Sequence, residues 1–237
     1  MKPLVCEMCG SKDVIECNGM FLCQSCGPKY SAEEIRNLYE LARRAKEAKN
    51  NEIAAKYYDM ILIKDPSSWE ANFFAVYFKA MTCKPGEIES AATAVSDCIY
   101  ATFALIRDHV ADTEARRQAV VEVKENAHAI SRILFNAARN RFDKIDASIR
   151  TRYQMEYVKN GVSAAAIRKT VCHGLCEILA DDAEVMTAVG IDILKNRIAE
   201  GIAIDADCLY VRVIKKYDTS YQAPKNQTAE DIMKSLK

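Results

Sequence analysis

Helix breakers are scarce in this chain, with eight glycines and five prolines among 237 residues. Beyond residue 30 few of them interrupt long helical patterns, which predicts an all-α body. Net charge is also missing. Lys+Arg and Asp+Glu stand at 33 each, which removes the argument for a bulk polyanion binder and leaves only local patches. No run of eighteen apolar residues occurs. The richest stretch, 71–80 with Phe73, Phe74, Tyr77 and Phe78, is interrupted by Asn72 and Lys79, so a transmembrane helix is not predicted. Only three histidines are present, and none has a catalytic neighbour. No G-x-x-x-x-G-K-[ST], G-x-G-x-x-G or H-E-x-x-H motif appears, which leaves nucleotide binding and zinc-protease chemistry by those routes unsupported. Lys2-Pro3 leads straight to Cys6 without an apolar signal core, and Cys83, Cys98 and Cys208 stand singly. Both features predict a soluble protein of a reducing, cytoplasmic compartment.

What is abundant is cysteine, ten in all, and four of them open the chain as two knuckles: Cys6-Glu7-Met8-Cys9-Gly10 and Cys23-Gln24-Ser25-Cys26-Gly27. A Cys-x-x-Cys turn brings two sulfurs onto one metal, and two such turns complete the tetrahedron that zinc prefers. The glycine after each pair can adopt the left-handed conformation that aims backbone N–H groups at the thiolates. Asn18-Gly19 is a strong hairpin turn joining 14–17 to 20–23. About 30 residues cannot bury enough apolar surface to fold alone, so a structural zinc ion on Cys6, Cys9, Cys23 and Cys26 is expected to supply the stability. Zinc is preferred over a pair of disulfides because of the doubled spacing and the compartment. Cys17, lacking a knuckle partner, reads as a strand filler.

On these cysteines, with Gly10, Gly27 and the Gly19 turn, residues 3–30 resemble the zinc ribbons of the transcription-factor-B type. Ribbons of this kind bind nucleic acid in some families and dock proteins in others. Lys2, Lys12 and Lys29 are cancelled by Glu7, Asp13 and Glu16. Four thiolates around a dication add about two negative charges. Such a module reads phosphates poorly, so protein docking is the expectation.

Ser31 with Glu34 forms a capping box that starts a first helix, running to about residue 50, and a second reaches Asp65-Pro66. With Pro66 as the closing proline, Leu38, Leu41, Ala42 and Ala45, followed by Ala54, Tyr58 and Ile61, resemble a tetratricopeptide repeat over 35–68. Leu38 and Ala42 replace its usual tryptophan and glycine. The small residues Ala42 and Ala54 imply close helix approach, with Tyr58 filling the groove beside them. Ser67 with Glu70 reads as the cap of a third helix, whose aromatic stripe is assigned to the core. After Lys84-Pro85-Gly86 comes a seam of Ile88, Ala91 or Ala92, Val95, Ile99, Phe103 and Ile106. Asp112 then caps a longer helix with the seam Val120, Val123, Ala127, Ile130, Leu134 and Ala137. These seams predict an intramolecular bundle. Further helices are expected over 146–159, 163–179, 183–200 and 205–217, with Gly161 as a boundary. A polar tail from 222 is expected to hold a short helix near 230–235.

Two clusters carry other chemistry. Arg132, Arg139, Arg141, Lys144, Arg150 and Arg152, interleaved with Phe142 and Tyr153, could grip single-stranded nucleic acid; the plainer reading is a solvated helix end. Cys172-His173 with Cys176 places two thiols one turn apart, as in a redox or metal site, but the ligand set is incomplete and core packing is the plainer reading.

The sequence therefore predicts a mostly α protein: a zinc ribbon at 1–30, an α-helical repeat-like or bundle domain at 31–221, and a polar tail at 222–237. The layout resembles bacterial proteins that pair an N-terminal zinc ribbon with tetratricopeptide-like helices. It implies a zinc-binding adaptor without enzymatic activity, whose partner is a protein and not a membrane. The alternatives are a nucleic-acid binder using 132–152 and a thiol enzyme or redox sensor using Cys172 and Cys176.

Overall fold

The computed structural model describes residues 12, 14–17, 20–23, 27–28, 32–200 and 207–223, and side chains at 12 and over 33–200 and 209–223. The first knuckle, residues 24–26 of the second, the Asn18-Gly19 turn, the Ser31 cap and the tail beyond 223 lie outside the described residues. The described chain is mostly α. By its internal contacts it divides into two units, Met1–Thr82 and Cys83–Lys237. That division falls inside the 31–221 segment, just ahead of Lys84-Pro85-Gly86.

In the first unit, the backbone of β1 (Val14–Cys17) pairs antiparallel with β2 (Met20–Cys23), with Cys17 opposite Met20. A short β3 (Gly27–Pro28) pairs along β2. Three helices follow: α1 (Ala32–Glu47), α2 (Asn51–Lys64) and α3 (Trp69–Met81). Glu33 and Glu34 open α1 and Arg44 and Lys46 close it, as the helix dipole favours. Lys49, at φ 56°, reverses the chain in the left-handed region. Asn50 then caps α2, its side chain accepting from the Ile53 N–H at 3.2 Å.

The third cap differs from the sequence expectation. Ser68, not Ser67, accepts from the Ala71 N–H at 3.0 Å, while the Ser67 hydroxyl donates to Asp65. The reason is burial: Ser68 sits in the core edge, hydrogen-bonded to the Tyr39 hydroxyl of α1, whereas Asp65 occupies Ser67 in the turn.

Helices α1 and α3 pack against α2. Ala42, Ala54, Tyr58 and Ile61 are fully buried, and Tyr58 stacks on Phe74 and Phe78 with centroids 5.4 and 5.9 Å apart. The α3 aromatics Phe73, Phe74 and Phe78 are core, as their density required. Leu38 and Ala45 are buried but Leu41 is exposed. Glu70 ties the three helices: it accepts from the Tyr58 hydroxyl at 3.0 Å and from both Nε and Nη2 of Arg43. Such a forked pair fixes orientation as well as charge.

The second unit contains α4 (Ile88–His109), α5 (Thr113–Asp143) and α6 (Arg150–Ile178). After them come α7 (Ala183–Val185), a π turn (Met186–Gly190), α8 (Ile191–Ala199) and α9 (Asp207–Tyr217). Helix α6 packs on both α4 and α5, and α9 packs on α6 and α8. The α4 seam is buried from Ile88 to Ile106. The α5 seam is buried as read through Leu134 and then passes to Ala138, leaving Ala137 exposed. A step of four in place of three keeps the face turned toward α6 along a 31-residue helix.

Gly161 is not a boundary. One helix runs continuously through it, and the expected 146–159 segment begins at Arg150. Interior glycine costs about 1 kcal/mol of helix propensity, which burial of Asn160, Ala164 and Ile167 on either side outweighs. Residues 146–149 form a turn in which Asp146 accepts from the Ser148 N–H and hydroxyl. Helices approach closely at small side chains. The buried Ser131 hydroxyl donates to the Ala164 carbonyl at 2.7 Å, and Gly174 lies under the Phe103 ring. Among the described residues no helix is long and apolar enough to cross a membrane.

Candidate functional site

Cys6, Cys9, Cys23 and Cys26, the expected zinc ligands, have side chains outside the described residues. Among the described residues no group of three or more His, Cys, Asp or Glu side chains is placed to hold a metal ion. The Cys172–His173–Cys176 cluster thus gains no further ligand there. Both thiols are buried. Burial pushes the Cys172 thiol up to about 11, and burial with the neighbouring Cys172 and Glu177 pushes Cys176 up to about 12. At neutral pH both are protonated, and the thiol is a poor nucleophile.

The basic segment is spread over one helix end and the next helix start. Arg139 pairs with Asp143 and Arg141 with Glu156. Arg150 lies over the Phe142 ring and donates to the carbonyls of Ile145 and Asp143, closing the end of α5. Phe142 itself stacks on Tyr157 at 4.6 Å. Three of the six cations are thus engaged by local partners on α5, α6 and the turn between them. Arg132 stands three turns away and faces a different feature.

That feature is a groove where α5, α6 and α8 meet. Two adjoining cavities, about 480 and about 380 Å³, share Lys124 and His128. Helix α5 supplies Lys124, His128 and Arg132 at steps of four, which puts them on one face. Helix α6 adds Arg168 and Cys172; α8 and the residue after it add Asn196, Arg197 and Glu200. Phe135 also lines the larger cavity. Glu200 is held between two guanidiniums, Arg168 Nη2 at 2.5 Å and Arg197 Nη1 at 2.8 Å. Burial acts to raise its carboxyl, but the Arg197 hydrogen bond and the Arg168 charge outweigh burial and hold it below the usual range. Burial first, then the Arg168 and Lys124 charges, push His128 down to about 4, so it is neutral at pH 7. Arg197 has only 8% of its side chain exposed. The Nε atoms of Arg168 and Arg197 are buried and have no hydrogen-bond partner among the described residues.

Of these groove residues only Arg132 and Cys172 stood out in the sequence, each as part of another cluster. The Lys124–His128–Arg132 spacing was readable on α5, but only tertiary packing adds Arg168 and Arg197.

A second kind of surface is apolar. On α6, Met155, Val158 and Val162 follow at i, i+3 and i+7 and are exposed by 66, 46 and 65%. They lie on the side of the helix opposite its buried residues Asn160, Ala164 and Ile167. Helix α2 likewise exposes Ile53, Met60 and Ile63 opposite its core face.

No family model matches the chain, and neither a curated protein nor a solved structure matches it.

Proposed function

We propose that this chain is a cytoplasmic, non-enzymatic adaptor that binds a protein partner through its helical surfaces, with an N-terminal ribbon stapled by one zinc ion on Cys6, Cys9, Cys23 and Cys26. The observation that carries the reading is the Met155–Val158–Val162 stripe. Isolated exposed apolar side chains are ordinary, but a line of them at helical spacing, on the face away from the core, suits an amphipathic partner segment. The tetratricopeptide-like pairing of α1 and α2 through Ala42 and Ala54 supports the same class of function. The high thiol pKa values of Cys172 and Cys176 weigh against the thiol-enzyme alternative. The local partners of Arg139, Arg141 and Arg150 weigh against a nucleic-acid grip by 132–152.

A native pull-down with and without nuclease tests the reading. A defined protein partner that survives nuclease and is lost from Met155→Glu/Val162→Glu supports it. Partners lost on nuclease treatment, with recovery of nucleic acid that Arg150→Glu/Arg152→Glu abolishes, would replace it by the nucleic-acid reading. For the ribbon, metal analysis should give about one zinc per chain. Cys9→Ser and Cys23→Ser should each lower it, and full occupancy in both variants would contradict the ligand assignment.

A further inference from the structure

The α5–α6–α8 groove carries more charge than it neutralises. Its lining brings four cations, Lys124, Arg132, Arg168 and Arg197, against two acids, Glu125 and Glu200. Only Glu200 is paired inward, and it is shared by two guanidiniums. Lys124 and Arg132 have no ion pair among the described residues. A guanidinium as buried as Arg197 is costly unless its charge is matched and its donors are bonded. Arg168 is less buried, with 34% of its side chain exposed; one carboxylate between the two guanidiniums leaves a positive charge over, and the two buried Nε–H donors have no acceptor among the described residues. Both deficits call for an anion with several acceptor oxygens.

We propose that this groove binds a phosphate monoester, its phosphoryl group held by Lys124, Arg132 and Arg168 of the larger cavity, beside the Arg197–Glu200 pair of the adjoining one. The excess of two positive charges matches a phosphate dianion. A carboxylate would leave half of it unmatched. Guanidinium forks suit phosphate oxygens, because each can present parallel N–H donors. Asn196 and the neutral His128 add donors that cost no further charge. Phe135, half-exposed in the lining of the larger cavity, gives the organic part of the ester an apolar contact. The site is a small-molecule site within the second unit. It stands independently of the adaptor reading, since none of its residues belongs to the α6 stripe.

The test is calorimetric titration of the full chain with phenyl phosphate, inorganic phosphate and benzoate at pH 7.5 and low ionic strength. Phenyl phosphate should bind saturably at one per chain, inorganic phosphate more weakly, and benzoate at least tenfold more weakly than phenyl phosphate. Lys124→Gln/Arg132→Gln should weaken phenyl phosphate at least tenfold with the helical signal intact. If that pair disturbs folding, Arg132→Gln alone carries the test, because its side chain is exposed. Arg139→Gln, outside the groove, should bind as the native chain does. Absence of saturable phenyl phosphate binding, equal affinity in the Lys124/Arg132 variant, or benzoate as tight as the ester would overturn the proposal.

Discussion

Two glycines on the same helix should respond to the same substitution with opposite sign. Gly161→Ala adds a methyl on the edge of α6, where its nearest neighbour would be Phe135 Cε2 at 3.4 Å, an ordinary contact with a ring that is itself 39% exposed. The helix gains about 1 kcal/mol of propensity from losing an interior glycine, and little opposes it. Gly174→Ala gains the same propensity, but its methyl would lie 2.7 Å from Phe103 Cδ2 and 3.0 Å from Cε2. Phe103 is fully buried between α4 and α6, so the ring has nowhere to go. Overpacking of this kind costs about 1–3 kcal/mol. With the propensity gain set against it, Gly174→Ala should lose up to about 2 kcal/mol and Gly161→Ala should gain somewhat less than about 1 kcal/mol. Urea denaturation followed by circular dichroism reads both, as midpoints moving in opposite directions at constant slope. Phe103→Leu should relieve much of the Gly174→Ala cost, which a double-mutant cycle would show as non-additivity. A stabilised Gly174→Ala, or a destabilised Gly161→Ala, would refute the placement of these helices against each other.

Ser68→Ala should cost about 1 kcal/mol through loss of the α3 cap, with the Tyr39 hydroxyl also losing its partner. Ser67→Ala should cost about 0.5 kcal/mol or less, since its hydroxyl serves only the Asp65 turn. Thermal melts of the two variants decide which serine is the cap, and equal losses would contradict the assignment. His128, lowered from 6.5 to about 4, should make stability fall with acid: neutral His128 is favoured in the folded chain, so its contribution is complete above pH 6.5 and is lost as pH drops toward 4. Allowing for its partial exposure, this amounts to about 1–3 kcal/mol. His128→Gln should remove that part of the slope between pH 7 and pH 4.5 in urea denaturation, and an unchanged slope would contradict the buried, cation-facing placement.

Much of the fold was legible because helical periodicity and caps are local. Ile88 to Ile106 repeat at steps of three and four, Asp112 precedes its helix, and Lys84-Pro85-Gly86 ends one, so these features needed no knowledge of neighbours. The errors arose where local signals compete. Two adjacent serines both fit a cap pattern, and only the one beside Tyr39 serves. Gly161 signals a break, and only the burial of Asn160 before it and of Ala164 and Ile167 after it, on a helix packed against α5, carries the helix through. The candidate site was least legible for the same reason. Arg132 stood out as one member of a basic run of which Arg139, Arg141 and Arg150 found partners around the α5–α6 junction, while its groove companions come from three helices.

By itself, the sequence determined that the body is helical, where most helices begin, and which face of each carries the apolar residues, because backbone sterics, capping and burial period act within a few residues. Only the tertiary structure decided that α6 is one helix lying against both α4 and α5, that Gly174 must remain small under Phe103, and that Arg168 and Arg197 share Glu200 beside Lys124 and His128. Those outcomes depend on which faces meet across the bundle, and that choice is made by the summed burial of many side chains far apart along the chain.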